Sequence, residues 1–499
     1  MPIRSEKERD ILIMVDMKAK PFYLSEEDCK WVEETIAGMT TEEKIGQLFF
    51  NMGSSRDEEY LKMTVDKYHI GGIRYNPATG AEVREQNRIL QENSKIPLII
   101  ACNTENGGNG ACTDGTMIGQ QTKIGATRDV RYAYELGRMS NKEAAAIGCN
   151  LSFAPVSDIL YNWENPVIGL RTYGNDVGRV CEMTKAYMDG AHTNEGFCCA
   201  AKHFPGDGLD FRDQHVADSV NDMSCEEWDA SYGKVYQNLI DNGLEAIMAG
   251  HIMQPAYTRH FNPGIKDEDI MPATLSPELI EGLLRGKLGF NGMVLTDASH
   301  MVGLTCCMKR SEMLPHTIAA GVDMFLFFNE MDEDFASMMA GYENGIITEE
   351  RLNDALHRIL ALKAHMGLHK KAKNEIVPPV EVMEQVVGCE EHKAMAREIS
   401  EKGITLVKYK DEDVLPMIPS RYKRIMIVSV SGLSAGVMET MMAKYMGGGK
   451  KSPAERLRDK LIEKGFDAFI YESPLDALAK RAAAGEKVDI NMYLSLIHI

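Results

Sequence analysis

What this chain lacks narrows it first. No run approaches the roughly 20 consecutive apolar residues that a membrane-crossing helix needs, so a membrane-embedded protein is not expected. Met1 to Asp10 carry charges of both signs, with no apolar segment leading to a small-residue cleavage site, so no export signal is read there. Eleven cysteines are present, an odd number, and none forms a C-x-x-C pair. Their spacing suits neither a disulfide framework nor a zinc site. Two adjacent pairs, Cys198-Cys199 and Cys306-Cys307, lie in or near apolar runs, which points to reduced, mostly buried thiols and a cytoplasmic protein. Basic clusters are missing too, and a net charge of −19 repels phosphate backbones, so nucleic acid is not an expected partner. No G-x-G-x-x-G follows a first strand, and no G-x-x-x-x-G-K-[ST] occurs. Gly447-Gly448-Gly449-Lys450-Lys451-Ser452 lacks the first glycine at the required spacing and reads as a flexible loop. Neither a metal nor an organic cofactor is expected.

What is there is an ordinary globular composition, 44% hydrophobic and 26% charged, over 499 residues: enough for a large domain and a second piece. From about Trp31 to Leu368 short apolar runs alternate with amphipathic, helix-length segments. The runs include Leu48-Phe49-Phe50, Ile70 to Ile73, Pro97 to Cys102, Leu151 to Val156, Gly196 to Ala201, Ala246 to Ala249, Met293 to Leu295 and Met324 to Phe328. Thr40 with Glu43 forms a capping box, and Ser276-Pro277 opens another helix. Such alternation predicts a parallel sheet with helices outside, and about eight units favour a closed (β/α)8 TIM-type barrel over an open sheet. We expect this α/β barrel over residues 1–370, and a linker marked by Pro378-Pro379 over 371–391. A second α/β domain is expected over 392–499, with strands at Ile404 to Val407 and Ile425 to Val428. The sequence stops at Leu494 to Ile499 as though a strand were beginning, which suggests that this domain is incomplete.

The densest chemistry lies in Ala200 to His215, A-A-K-H-F-P-G-D-G-L-D-F-R-D-Q-H. Polar groups that follow a buried strand on a Pro/Gly loop occupy the catalytic face of parallel α/β folds. Asp213 and His215 are one residue apart. The carboxylate can hold one ring nitrogen and leave the other for proton transfer.

Six stretches follow one another at barrel-like intervals: M-T-T-E-E-K-I-G-Q-L from Met39, N-L-S-F-A-P-V-S-D from Asn150, N-P-V-I-G-L-R-T-Y-G from Asn165, K-H-F-P-G-D-G from Lys202, L-G-F-N-G-M-V-L-T-D from Leu288 and A-G-V-D-M from Ala320. Together they resemble glycoside hydrolase family 3, and within it the β-N-acetylhexosaminidase branch. The resemblance implies a retaining mechanism, with a nucleophile on one face of the anomeric carbon and an acid/base on the other. It places Asp297 as nucleophile and His215, paired with Asp213, as acid/base. It assigns Lys202, His203 and Arg171 to sugar hydroxyls, although each could instead serve a buried ion-pair network. The family's D-Q-E-G-G-R segment departs here to Asn103-Thr104-Glu105-Asn106-Gly107-Gly108, so Asn103 stands where an aspartate normally grips distal hydroxyls, with Glu105 beside it. Asp207 and Gln214 also depart from the branch, which commonly has histidine and serine there.

The expected protein is thus a retaining β-N-acetylhexosaminidase acting on small carbohydrate substrates, such as N-acetylglucosamine-containing cell-wall fragments. A β-glucosidase, a β-N-acetylglucosaminide phosphorylase and an inactive sugar-binding homologue are the alternatives. The joint presence of Asp297, Asp213 and His215 argues against the last.

Overall fold

Eight of the apolar runs become eight parallel strands: β1 (Phe49–Met52), β2 (Gly72–Arg74), β3 (Ile99–Cys102), β4 (Leu151–Ser152), β5 (Cys198–Phe204), β6 (Ala246–Ala249), β7 (Met293–Thr296) and β8 (Phe325–Leu326). Each pairs with its chain neighbour, in registers such as Ile73 with Ile100, Ala101 with Leu151 and Met248 with Leu295. β8 returns to β1 through Phe49 and Phe325, and a parallel bridge between Leu295 and Met324 joins β7 to the start of β8. The result is a (β/α)8 barrel. The computed structural model describes residues 13–408, 415–429 and 451–471. The sequence readings of Met1–Asp10, of Gly447–Lys450 and of Leu494–Ile499 fall outside those residues.

Continuous apolar runs fold this way because a parallel strand is covered on both faces. All four residues of β3 and all seven of β5 are buried. The paired segments are shorter than the runs. Leu151 to Val156 pairs only at Leu151–Ser152 before Pro155, which has no N–H for a ladder; Val156 rejoins by a single bridge to Lys202. Thr40 Oγ1 accepts from the Glu43 N–H and the Thr40 N–H donates to Glu43 Oε2, so the capping box forms. Helix Glu278–Lys287 winds with i→i+5 bonds behind Ser276, whose Oγ accepts from the Leu279 N–H at 3.3 Å. Beneath β7 and β8 the buried Asp323 carboxylate accepts from Arg285 at 2.9 Å, the Val294 N–H at 2.8 Å and Arg351. It ties two outer helices to the sheet. Among the described residues no helix is long and apolar enough to cross a membrane.

The division of the chain differs from the sequence reading. Two compact units meet between Thr405 and Leu406. Residues 371–391 are not an open linker but include helix Val380–Val386, and helix Glu390–Gly403, expected to begin the second domain at residue 392, belongs to the first unit. His392 is buried with its Nδ1 2.6 Å from Glu143, Ile399 enters the core beside Tyr132 and Leu136, and Arg138 pairs with Glu391. Ile404 to Val407 forms no strand and is exposed. In the second unit, β9 (Arg424–Ile427) and β10 (Asp467–Ile470) run parallel, and Ser452 caps helix Pro453–Glu463.

Candidate active site

The C-terminal ends of the strands gather every candidate residue. Lys202 and His203 are not on the loop, as the sequence suggested, but are the fifth and sixth residues of β5, which continues to Phe204. Both are buried, with 4% and 3% of their surface exposed. His203 is clamped by Asp158, whose Oδ1 accepts the His203 backbone N–H at 3.1 Å and whose Oδ2 lies 2.7 Å from ring Nδ1. That bond fixes the tautomer and aims Nε2 at Asp297 Oδ2, 3.8 Å away.

Asp297 immediately follows β7. Its backbone N–H donates to Ala249 at 2.9 Å and its Oδ1 accepts from the Ala298 N–H at 2.7 Å. Burial pushes its carboxyl pKa up. His203, His251, the Ala298 N–H and Lys202 overcome that effect and leave the pKa below the ordinary carboxylate value. An ionised carboxylate with a side chain 15% exposed, at the mouth of a barrel, has the charge and access of a nucleophile. His251, beyond β6, is held between Thr274 Oγ1 at 2.7 Å and the Ala298 carbonyl at 3.0 Å. A carbonyl only accepts, so its Nε2 carries the proton; burial holds the ring's pKa down.

Asp213 and His215 face each other on the loop after β5. Asp213 Oδ1 accepts the His215 N–H at 2.8 Å and lies 2.6 Å from ring Nδ1. Both side chains reach solvent, while Gln214 between them is fully buried. Gln214 anchors the dyad: its Oε1 accepts the His251 N–H at 2.8 Å and its Nε2 donates to Asp207 Oδ2 at 3.2 Å. The two departures from the branch, Asp207 and Gln214, therefore answer each other. Val302 and Gly303 donate to the carbonyls of His215 and Gln214 at 3.1 and 3.0 Å, which ties the dyad to the segment that follows Asp297. A Cβ at Gly303 would meet the Gln214 carbonyl at 2.9 Å, so this close approach needs glycine. Partial burial lowers the pKa of His300, and the Asp297 carboxylate opposes that shift.

On the other side, Glu105 beyond β3 accepts from Arg171 Nε at 3.2 Å and Nη2 at 3.4 Å, and Lys202 Nζ lies 3.9 Å away. Burial would raise the Glu105 pKa, but Lys202 and Arg171 hold it down; burial lowers that of Lys202 despite Glu105. Asn103, half-buried, directly follows β3 at the same mouth. Arg74 ends β2 nearby, and its charge reaches Glu105 and Lys202. Its Nε is buried without a hydrogen-bond partner.

All eight residues singled out from the sequence thus stand at one end of the barrel. Asp158, His251 and Arg74 were missed. Asp158 ends a quoted motif and Arg74 ends a strand, so both carried a positional signal, whereas His251 carried none.

The chain matches the family model described as the glycosyl hydrolase family 3 N terminal domain over residues 40–362. It is 39% identical over 459 residues to a beta-N-acetylglucosaminidase/beta-glucosidase of Cellulomonas fimi, covering 92% of this chain and 79% of that protein. Among solved structures, the beta-glucoside phosphorylase BglX bound to 2FGlc superposes with a TM-score of 0.84 at 39% identity, covering 92% of this chain and 80% of that one. A glycoside hydrolase family 3 beta-N-acetylglucosaminidase from Paenibacillus sp. str. FPU-7 superposes with a TM-score of 0.73 at 26% identity, covering 90% and 83%. With strand-end Asp297, the Asp158-clamped His203 and the Asp213–His215 dyad in one barrel mouth, the chain belongs to glycosyl hydrolase family 3.

Proposed function

We propose that this protein is a retaining exo-β-glycosidase of β-N-acetylhexosaminidase type that releases N-acetylglucosamine from small glycosides. The observation that carries the reading is the Asp213–His215 dyad, tethered through Gln214, Val302 and Gly303 to the segment that carries Asp297. Asp297 Oδ attacks the anomeric carbon as His215 Nε2 gives its proton to the departing glycosidic oxygen. A covalent glycosyl-enzyme forms. His215 then takes a proton from water as that water attacks the same carbon, and the β-configuration is restored. Asp213 holds Nδ1 and so keeps Nε2 for the proton transfers. His203, Lys202, Arg171, Glu105 and Asn103 line the sugar's side. The name of the Cellulomonas fimi relative pairs glucosaminidase with glucosidase activity and supports this sugar class. A cytoplasmic setting fits eleven free cysteines, most of them buried.

Phosphorolysis is the second reading, favoured by the likeness to BglX and by the charge of the acid/base. A carboxylate in the place of His215 would repel phosphate by about 4 kcal/mol at 4 Å with an effective dielectric of 20, whereas a neutral imidazole leaves the approach open. One experiment tests both. The enzyme is incubated with aryl N-acetyl-β-glucosaminide and aryl β-glucoside in phosphate and in a non-nucleophilic buffer, and the sugar product is identified. Free N-acetylglucosamine with retained configuration in both buffers supports the proposal; sugar 1-phosphate as the main product in phosphate selects the second reading. A 5-fluoro glycosyl fluoride should label the peptide containing Asp297, and a label on another carboxylate would refute the nucleophile assignment.

A further inference from the structure

At the opposite end of the barrel a second cluster has no part in this chemistry. Cys198 opens β5, Glu245 directly precedes β6, His365 ends helix Glu349–His365 and His192 follows helix Val177–Ala191. We propose that Cys198, Glu245 and His365 form a structural site for a divalent transition metal, with a water as fourth ligand and zinc the ion that best suits a thiolate, a carboxylate and an imidazole.

The ligand atoms of Cys198, Glu245 and His365 lie within 4.8 Å of one another, and they make the one such trio of metal-binding groups among the described residues. His365 Nε2 sits 3.9 Å from Glu245 Oε1, too far for a hydrogen bond. Its Nδ1 lies 2.9 Å from the Phe22 carbonyl, which can only accept. The proton is therefore on Nδ1, and Nε2 presents its lone pair to the cluster, the outer-shell arrangement found behind metal-binding histidines. Glu245 is held in the same way: its Oε2 accepts the Cys199 N–H at 3.1 Å, leaving Oε1 for an ion. His192 Nε2 lies 2.8 Å from that Oε1 but outside the trio, and so braces Glu245 rather than completing the trio.

A His192–Glu245 ion pair alone accounts for neither Cys198 nor the orientation of His365. An ion does. Tetrahedral zinc ligands stand about 3.3–3.6 Å apart, so His365 Nε2 and Glu245 Oε1, at 3.9 Å, need to close by only about half an ångström. On binding, the Cys198 thiol loses its proton to solvent, and thiolate plus carboxylate neutralise the 2+ charge where Cys198 is 1% and Glu245 3% exposed. The ion would fasten two strands to one outer helix. Cys198 is the first residue of β5 and Lys202 and His203 the fifth and sixth, so the site lies towards the other end of the strand from the catalytic mouth.

The site is tested on the full chain, stripped with a chelator and titrated with zinc or cobalt(II). We expect one bound equivalent per chain by elemental analysis, a cobalt–thiolate charge-transfer band, and a melting temperature raised by zinc while turnover of an aryl glycoside is unchanged. Cys198→Ser should remove the band, and His365→Gln should weaken zinc binding at least tenfold. A wild-type chain that takes up no stoichiometric metal overturns the proposal whether or not the variants fold. So does a band that survives Cys198→Ser, because its thiolate then comes from another cysteine.

Discussion

Replacing Glu105 by glutamine tests the electrostatics of the sugar side directly. The exchange keeps the shape and removes one negative charge from beside Arg171, Lys202 and the nearby Arg74. Lys202 is 5% exposed in its side chain and Arg171 23%, so neither cation can turn freely to water. Removing one partner of a buried ion pair costs about 3–5 kcal/mol. With an unfolding entropy of about 2.1 cal/mol/K per residue, spread over the roughly 400 residues of the first unit, that loss lowers Tm by roughly 4–6 °C. The pH dependence gives a second readout. Burial already holds the Lys202 pKa below its ordinary 10.5, and Glu105 opposes that shift. Without the carboxylate the folded-state pKa falls further. A lysine with a depressed folded pKa destabilises the fold while it is charged, and this penalty fades as pH rises from the folded pKa towards the unfolded value. The destabilisation of Glu105→Gln relative to wild type should therefore be largest near neutral pH and smaller near pH 10. The alkaline limb of kcat/KM should move to lower pH, as a deprotonated Lys202 loses its charge-assisted bond to substrate. The reasoning fails if calorimetry gives a Tm within about 1 °C of wild type and the pH–rate profile is superimposable.

His215→Ala should slow aryl glycosides with poor leaving groups far more than nitrophenyl glycosides, and Asp213→Asn should show a milder form of the same pattern; equal losses across a leaving-group series would remove the dyad from acid/base chemistry. Asp323→Asn weakens a buried carboxylate bonded to Arg285, Arg351 and the Val294 N–H. It should destabilise by about 3–5 kcal/mol in chemical denaturation and leave KM unchanged. Lys363 is wholly buried against Gln47 Oε1 at 2.6 Å, and burial lowers its pKa to about 7. Lys363→Met should therefore raise Tm below pH 7, where the buried charge is present, and the gain should vanish towards pH 10 in a series of melts.

The sequence by itself determined the barrel and the position of its chemistry. Continuous short runs such as Ile99 to Cys102, alternating with helix-length amphipathic segments, read as strands covered on both sides, and a carboxylate directly after Met293–Thr296 then emerges at the C-terminal mouth. The Asp213–His215 pair was legible because a spacing of two lets one local hydrogen bond define the dyad. What only the tertiary structure decided are contacts between segments distant along the chain. Asp158 clamps His203 across 45 residues, and Gln214 reaches His251 across 37. Cys198, Glu245 and His365 meet because a closed barrel brings strand starts and an outer helix to one base. No local period or spacing encodes such meetings. The domain boundary was misread for the same reason. A charged stretch with two prolines looks like a linker, yet the helix Glu390–Gly403 that follows buries only His392 and Ile399, two side chains whose partners, Glu143 and the core around Tyr132, lie some 250 residues away.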